Sequence, residues 1–191
     1  MALQYKDYAD ARDAAWRALI EAGIRYLPVN LRQITDFYGI KLRSYSDMEG
    51  VFDRKSLTGD GFTVIINNVR MILYNDLVNS IGRRRFTVAH EIGHNILGHK
   101  IAGLLARSEE RNEEERQANQ FARDLLMPAI VLYRIGVMDW STISQICGVS
   151  TKAAKIMANE FIVLLYLNDW GKSPMERAIE RQFCRYILSK E

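Results

Sequence analysis

The sequence predicts an α+β fold in which a small sheet lies between helical segments. Helical spacing of apolar residues dominates the first 37 residues, β-rich runs cluster between residues 40 and 74, and helical spacing returns from residue 85 onward. This order of helices, then strands, then helices is typical of an α+β protein, because a doubly wound protein would alternate the two.

The N-terminal part is predicted to form two helices and a strand. Apolar residues at helical spacing predict a helix over residues 8–22. Pro28, a residue that suits the first turn of a helix, predicts the start of a second helix that runs through Phe37. Alternation of apolar and polar residues over residues 40–45 predicts a strand.

A β-hairpin is predicted next. Residues 62–66 and 71–74 are rich in apolar and aromatic residues, and Asn67 and Asn68 stand between them. Asparagine tolerates the positive φ that a tight hairpin turn requires, so these two residues are expected to form the turn.

The remaining chain is predicted to be helical. Two helices are expected over residues 85–97 and 113–127. Residues 141–147, a turn at 148–150 and a helix from residue 151 onward have the pattern of a helix-turn-helix. A last helix is expected over residues 174–188.

Composition and charge exclude several classes of protein. The 191 residues are 48% hydrophobic and 26% charged with a net charge of +3, which is ordinary for a globular protein and gives no bulk attraction to nucleic acid or membranes. The first 20 residues contain three aspartates, unlike a signal peptide, and the longest apolar run, residues 161–167, is too short to span a membrane. We therefore expect a cytoplasmic protein. The order of the predicted elements suggests two regions: residues 1–135, and a helical region, residues 136–191, that packs on the first.

A cluster of histidines is the main functional signal. All three histidines lie within ten residues, and His90 and His94 frame an HExxH motif with Glu91. Residues four apart on a helix lie about 40° apart around its axis, so both imidazoles could bind one Zn²⁺. Glu91 would lie beside the metal and could act as a base on a water molecule. Val88 and Ile92 on the opposite side predict a buried helix, which argues against a chance motif on a surface helix.

Two residues compete for the role of third metal ligand. His99 is followed by Lys100, which departs from the longer three-histidine zinc motif, and Gly98 is expected to end the helix before it. We expect His99 to support the site rather than bind the metal. Glu115 begins a helical stripe with Asn119, so Glu115 could bind the metal and Asn119 could hold a ligand imidazole. Spacing alone equally allows Glu115 to be part of an acidic helix start.

Three segments together add a family resemblance. Residues 85–99 read RFTVAHEIGHNILGH, residues 115–128 read ERQANQFARDLLMP, and residues 72–76 read ILYND. Together they resemble the ImmA/IrrE family of bacterial metallopeptidases, most densely over residues 62–128. Arg123 stands where a small residue is expected, but it lies off the stripe of candidate ligands.

The resemblance implies a zincin-like metallopeptidase fold and a regulatory activity. Members of this family include anti-repressors of mobile elements and stress-response regulators, which cleave a helix-turn-helix repressor or trigger its loss. The chain is thus expected to be a zinc-dependent endopeptidase with such a repressor as its partner. The implied residues are His90, His94 and Glu115 as zinc ligands, Glu91 as the catalytic base, and Asn119 and His99 as supporting residues.

Two other functions remain open from the sequence. The helix-turn-helix pattern allows a DNA-binding regulator, but Lys152 and Lys155 are balanced by Glu160 and Asp169 within residues 141–170, whereas DNA readers need a basic face. A module that binds the metal or the repressor without cleaving it is the other alternative. The glutamate of the HExxH motif argues against that alternative, because a structural metal site needs no base.

Overall fold

The computed structural model describes residues 9–51, 59–99, 109–167 and 173–190. It confirms the α+β class, with helices before and after a three-stranded sheet. The elements are α1 (Ala9–Glu21), α2 (Leu31–Phe37), β1 (Lys41–Ser44), a 3₁₀ turn (Ser46–Met48), β2 (Gly61–Ile66), β3 (Val69–Tyr74), α3 (Ile81–Ile96), α4 (Glu109–Leu126), α5 (Ala129–Arg134), α6 (Trp140–Cys147), α7 (Thr151–Leu167), α8 (Pro174–Gln182) and α9 (Cys184–Leu188).

The sheet has the strand order β1-β3-β2. Strand β1 runs parallel to β3, and β2 runs antiparallel to β3 with Thr63 opposite Ile72. Asn67 and Asn68 have φ values of 49° and 62°, so they form the predicted tight turn of the hairpin. One face of the sheet packs on α3, and β2 lies at a sheet edge beside that helix.

Helices α3 and α4 pack against each other at the centre of the molecule. A Cβ atom at Gly93 of α3 would lie 3.0 Å from the ring of Phe121 on α4, so the glycine allows close approach of the two helices. Phe121 and Ile92 are fully buried in the main core, together with Trp16 of α1. This packing fixes the relative position of the residues on the two helices.

Several helix boundaries differ from the predicted ones. Helix α3 begins at Ile81 instead of residue 85, because the Ser80 side chain accepts a hydrogen bond from the backbone N–H of Arg83 at 3.2 Å and caps the helix. Helix α2 begins after Asn30, whose side chain caps it in the same way, and Pro28 precedes the helix instead of opening it.

The later helices also depart from the predicted pattern. Helix α4 begins at Glu109, four residues before the predicted start, and the short helix α5 was not predicted. The predicted helix over residues 174–188 is divided at Phe183 into α8 and α9, and the buried Phe183 ring packs into the main core at that point.

The C-terminal helices share the core of the N-terminal ones. A turn at Gly148, which adopts φ 62°, joins helices α6 and α7, so this segment has the predicted order of helix, turn and helix. Helix α8 contacts α1 and α5, and Ile179 belongs to the same buried cluster as Trp16. The division at residue 135 stays a prediction. No helix among the described residues combines the length and apolar composition that crossing a membrane requires.

Candidate metal centre

Helices α3 and α4 bring two imidazoles and a carboxylate to one point. The Nε2 atoms of His90 and His94 lie 3.0 Å apart. Glu115 places one carboxylate oxygen 3.2 Å from Nε2 of His90 and the other 3.6 Å from Nε2 of His94. Within the described part of the chain, these three residues form the group whose ligand atoms all lie within 4.8 Å of one another.

The spacing of these atoms fits a tetrahedral metal. Ligand atoms at about 2.0–2.2 Å from a tetrahedral ion lie about 3.3 Å from each other, and the three distances between His90, His94 and Glu115 scatter around that value. Two imidazoles and one carboxylate form a donor set typical of catalytic zinc, which keeps a further position open. The residues present therefore fit a divalent ion of the zinc class.

Asn119 contacts the first of these histidines. Its side-chain oxygen lies 3.1 Å from Nδ1 of His90. An amide oxygen only accepts hydrogen bonds, so this contact suits an Nδ1–H donor and turns Nε2 of His90 toward Glu115 and His94. The position of Asn119, one helical turn after Glu115, had predicted such a contact with a ligand imidazole.

His99 contacts the second histidine and not the candidate ligand atoms. Its Nδ1 atom lies 2.9 Å from Nδ1 of His94, and its Nε2 atom lies 3.0 Å from Oε1 of Gln117. Gly98, with φ 73°, ends the helix just before it, and the backbone N–H of His99 bonds the carbonyl of His94 at 3.0 Å. The chain therefore folds back so that His99 lies behind His94.

Glu91 lies between α3 and the edge strand. The hydroxyl of Thr63 on β2 donates a 2.8 Å hydrogen bond to Oε2 of Glu91. Burial raises the pKa of the Glu91 carboxyl, and the hydrogen bond from Thr63 and the nearby His90 oppose that rise. A carboxyl whose pKa is raised in this way is better suited to take and return a proton than a fully solvated one.

Three further residues at the site, Asn95, Thr63 and Gln117, were not predicted from the sequence. Asn95 donates hydrogen bonds to the Thr63 hydroxyl at 2.9 Å and to the Glu91 carbonyl at 2.8 Å. Two of them could have been found: Thr63 is a polar residue within an apolar strand, and Asn95 lies on the same helix face as Glu91, four residues later. No feature of the sequence marks Gln117, because it lies off the helical stripe that Glu115 and Asn119 define.

A pocket of about 650 Å³ adjoins the metal centre. Phe86, one turn before His90, and Asn119 form one side, and Ala153 and Ile156 of α7 form another. Lys152 lies at the same pocket and is exposed. The pocket therefore combines apolar walls with cationic side chains, and it lies between the helix-turn-helix segment and the face of α3 that carries the histidines.

A comparison with protein-family models identifies the family of this chain. The model for the M78 peptidases, described as the IrrE N-terminal-like domain, matches residues 38–159, which is more than half of the 191 residues. The chain belongs to the M78 peptidase family. The M78 match includes the sheet, both helices of the candidate metal centre and the helix-turn-helix segment up to residue 159. A search of curated proteins found no match.

Proposed function

We propose that this M78 peptidase is a cytoplasmic zinc-dependent endopeptidase that cleaves a helix-turn-helix transcriptional repressor. The observation that carries the proposal is the meeting of His90, His94 and Glu115 at ligand spacing, with the half-buried Glu91 beside them. A bound Zn²⁺ would supply a Lewis acid that polarises the scissile carbonyl and activates water. The repressor as substrate rests on the resemblance to regulatory members of the ImmA/IrrE family.

The protein side chains have separate tasks in this reaction. His90, His94 and Glu115 would hold the ion, and Asn119 orients the His90 ring through the 3.1 Å contact. Glu91 takes a proton from the attacking water at a carboxylate oxygen and later returns it to the leaving amine. Thr63 holds that carboxylate in place through its 2.8 Å hydrogen bond.

The edge strand and the pocket support binding of an extended peptide. Strand β2 pairs with β3 on one side, and no other strand in the described part of the chain pairs with its outer edge. A peptide could add to that edge through backbone hydrogen bonds, which select little sequence. Side-chain selection would then come from the pocket, where Phe86, Ala153 and Ile156 suit an apolar side chain and Lys152 suits a neighbouring acidic one.

Replacement of the base tests the enzymatic part of the proposal. Glu91→Gln keeps the shape of the side chain and removes the base, so we expect zinc content and fold to persist while cleavage falls at least about a hundredfold. The assay co-expresses a candidate helix-turn-helix repressor with the wild-type protein or with Glu91→Gln and follows the repressor by immunoblot. Equal loss of repressor with both proteins would show that relief of repression needs binding and not hydrolysis.

Replacement of the ligands tests the metal part. His90→Ala and Glu115→Ala remove ligands and are expected to reduce the zinc content of the purified protein well below one ion per chain. Glu113→Ala, at an exposed acidic residue on the same helix, is the matched control and should retain the metal. Retention of full zinc by Glu115→Ala would exclude Glu115 as a ligand.

DNA binding is the second candidate, because α6 and α7 are two helices joined by a short turn, as in a helix-turn-helix. A Cβ atom at Gly82 of α3 would lie 2.4 Å from the backbone nitrogen of Ser150, so α3 packs against the start of α7. In DNA readers the start of the second helix contacts the bases. Residues 141–170 also carry no net charge. We expect no shift of duplex DNA in a low-salt gel assay, and a salt-sensitive shift would favour the regulator.

A further inference from the structure

A second pocket, of about 460 Å³, lies on the other side of α3 from the candidate metal centre. Residues of α3, of strands β1 and β3, and of the chain that leads into α2 line it. Val88 of this pocket and His90 of the metal centre lie about 200° apart around the helix axis, so the two sites occupy opposite sides of α3. The volume is typical of a site for a small molecule, and the proposed peptidase reaction does not use this pocket.

Three arginines give this pocket its charge. Arg84 and Arg85 of α3 and Arg32 of α2 line it, and none of the described residues that line it is acidic. Within the described part of the chain, no carboxylate forms an ion pair with these three guanidinium groups. Asp47 interacts with Arg32 electrostatically but does not line the pocket. The arginine pocket, defined by these three residues, therefore has an excess of positive charge.

Backbone carbonyls hold two of the three guanidinium groups in place. Arg84 donates a hydrogen bond to the carbonyl of Asp76 at 2.7 Å, and Arg85 donates one to the carbonyl of Val29 at 2.8 Å. A carbonyl orients a guanidinium group without neutralising its charge. Burial lowers the pKa of the Arg85 guanidinium, because a cation that is removed from water is less stable. An anion in the arginine pocket would offset that cost.

We propose that the arginine pocket binds a small organic phosphate, with its phosphoryl group at the arginines and its apolar part against the aliphatic wall. Paired N–H groups of a guanidinium match two oxygens of a phosphate, and a phosphate monoester carries about 1.5–2 negative charges at pH 7. A monocarboxylate would neutralise only one of the three cations. Leu42, Ile81 and Val88 form the aliphatic wall. This ligand would contact the helix of the metal centre from the side opposite the histidines.

Calorimetric titration of the full-length protein tests this site, with phenyl phosphate as the probe. We expect saturable binding at one site per chain with a Kd below about 1 mM. Inorganic phosphate should bind more weakly because it lacks the apolar part, and benzyl alcohol should not bind because it lacks the charge. A lack of saturable binding at millimolar phenyl phosphate would overturn the proposal. Equal affinity for benzoate would overturn the assignment of a phosphate.

Arginine variants locate the bound anion. Arg32→Gln and Arg84→Gln each remove a cation from the arginine pocket, and each should weaken binding of phenyl phosphate about 10–100-fold through loss of a charge-assisted hydrogen bond. Arg83→Gln is the matched control and should keep the wild-type affinity. Arg83 is the neighbour of Arg84 in sequence, but it pairs with Asp60 and lines the pocket beside the metal centre.

Two further variants separate the arginine pocket from the metal centre. Lys152→Gln removes a cation from the pocket beside the metal centre, and His90→Ala removes a candidate metal ligand. Both should bind phenyl phosphate with wild-type affinity. Loss of binding in either one, together with unchanged binding in Arg32→Gln and Arg84→Gln, would place the anion at the metal centre and overturn the proposal.

The exposed position of Arg32 keeps the test decisive if Arg84→Gln fails to fold. The Arg32 side chain forms no hydrogen bond with the rest of the described chain, so Arg32→Gln should leave the fold intact. Wild-type affinity in Arg32→Gln would then overturn the proposal. A purified protein that binds no zinc and cleaves no peptide would reject the proposed function instead, and the phosphate titrations would stand as a separate result.

Discussion

The hydrogen bond from Thr63 to Glu91 joins the edge strand to the proposed base. The two residues are far apart in sequence, and the 2.8 Å contact exists because β2 lies on α3. Asn95 holds the same hydroxyl from the other side at 2.9 Å, so the Thr63 hydroxyl has a fixed direction. Its proton therefore points to the Glu91 carboxylate, which fixes the position of that carboxylate.

Removal of this hydroxyl should slow the reaction without loss of metal. In Thr63→Val the Glu91 carboxylate loses a half-buried hydrogen-bond donor, a change that costs about 1–3 kcal/mol. We expect kcat to fall about tenfold or more, with zinc content unchanged. Thr63→Ser retains the hydroxyl and should keep most of the activity. The role assigned to Thr63 is wrong if the serine and valine variants lose the same activity.

The predictability of the site differed from residue to residue. His90, Glu91 and His94 could be found because their chemistry depends on spacing within one helix. Glu115 could not be separated from an acidic helix start, because its approach to the histidines depends on how α4 packs on α3. Thr63 lies on a different element, and its contact with Glu91 depends on the register of the sheet against the helix.

At the scale of elements, the start of α3 is tied to the start of α7. Gly82 lies in the first turn of α3, and a Cβ there would lie 2.4 Å from the nitrogen of Ser150 and 2.5 Å from the carbonyl carbon of Val149. These are backbone atoms, so a side chain could be accommodated only by moving one helix relative to the other. Because Gly82 has no side chain, the helix-turn-helix segment can pack directly on the helix that carries the histidines.

Gly82→Ala should destabilise the protein although alanine favours helices. Alanine gains about 1 kcal/mol of helix propensity over glycine in a helix interior, but overpacking against backbone typically costs about 1–3 kcal/mol. We expect a lower free energy of unfolding in urea, by up to about 2 kcal/mol. Ile81→Ala, at the exposed neighbour, should change it by less. A more stable Gly82→Ala variant would show that the two helices separate easily.

Element types were predictable here and element ends were not. The hairpin was found because asparagine at both turn positions is a strong local signal, and both adopt positive φ. The start of α3 was missed because Gly82 and the arginines after it lack an apolar stripe, and the cap at Ser80 decides the boundary instead. The break at Phe183 depends on burial of that ring in the core, which is a tertiary contact.

At the scale of the whole molecule, a polar network crosses the interface between α4 and α7. Arg123 of α4 pairs with Glu160 of α7, and its other guanidinium nitrogen bonds Gln120 at 2.9 Å. Gln120 donates to the buried Asp124 at 2.6 Å. Burial raises the pKa of Asp124 to about 7, and the hydrogen bond from Gln120 opposes that rise.

The raised pKa of Asp124 predicts a pH-dependent stability. Folded Asp124 holds its proton more tightly than the unfolded chain, whose ordinary value is 3.8. Its contribution to stability is therefore fully present below about pH 4 and is lost as the pH rises through about 7. Asp124→Asn removes this dependence. Its stability relative to wild type should rise by roughly 2–4 kcal/mol between pH 4 and pH 8.

Urea unfolding of both proteins across that pH range isolates the effect, because the other titrating groups are common to wild type and variant. Asparagine keeps an acceptor for Gln120, so the hydrogen bond at 2.6 Å has a counterpart in the variant. A stability difference that stays constant from pH 4 to pH 8 would show that the Asp124 carboxyl titrates near its ordinary value in the folded protein.

The outer edge of β2, with which no described strand pairs, connects the proposed reaction to the local stability of the target. A segment can align with that edge only as an extended strand, so a folded target must first open locally. When opening and closing are fast, the rate of cleavage follows the small fraction of open molecules, and each 1.4 kcal/mol of opening free energy changes the rate about tenfold. A cellular signal could then control proteolysis by loosening the target, with no change in the protease itself.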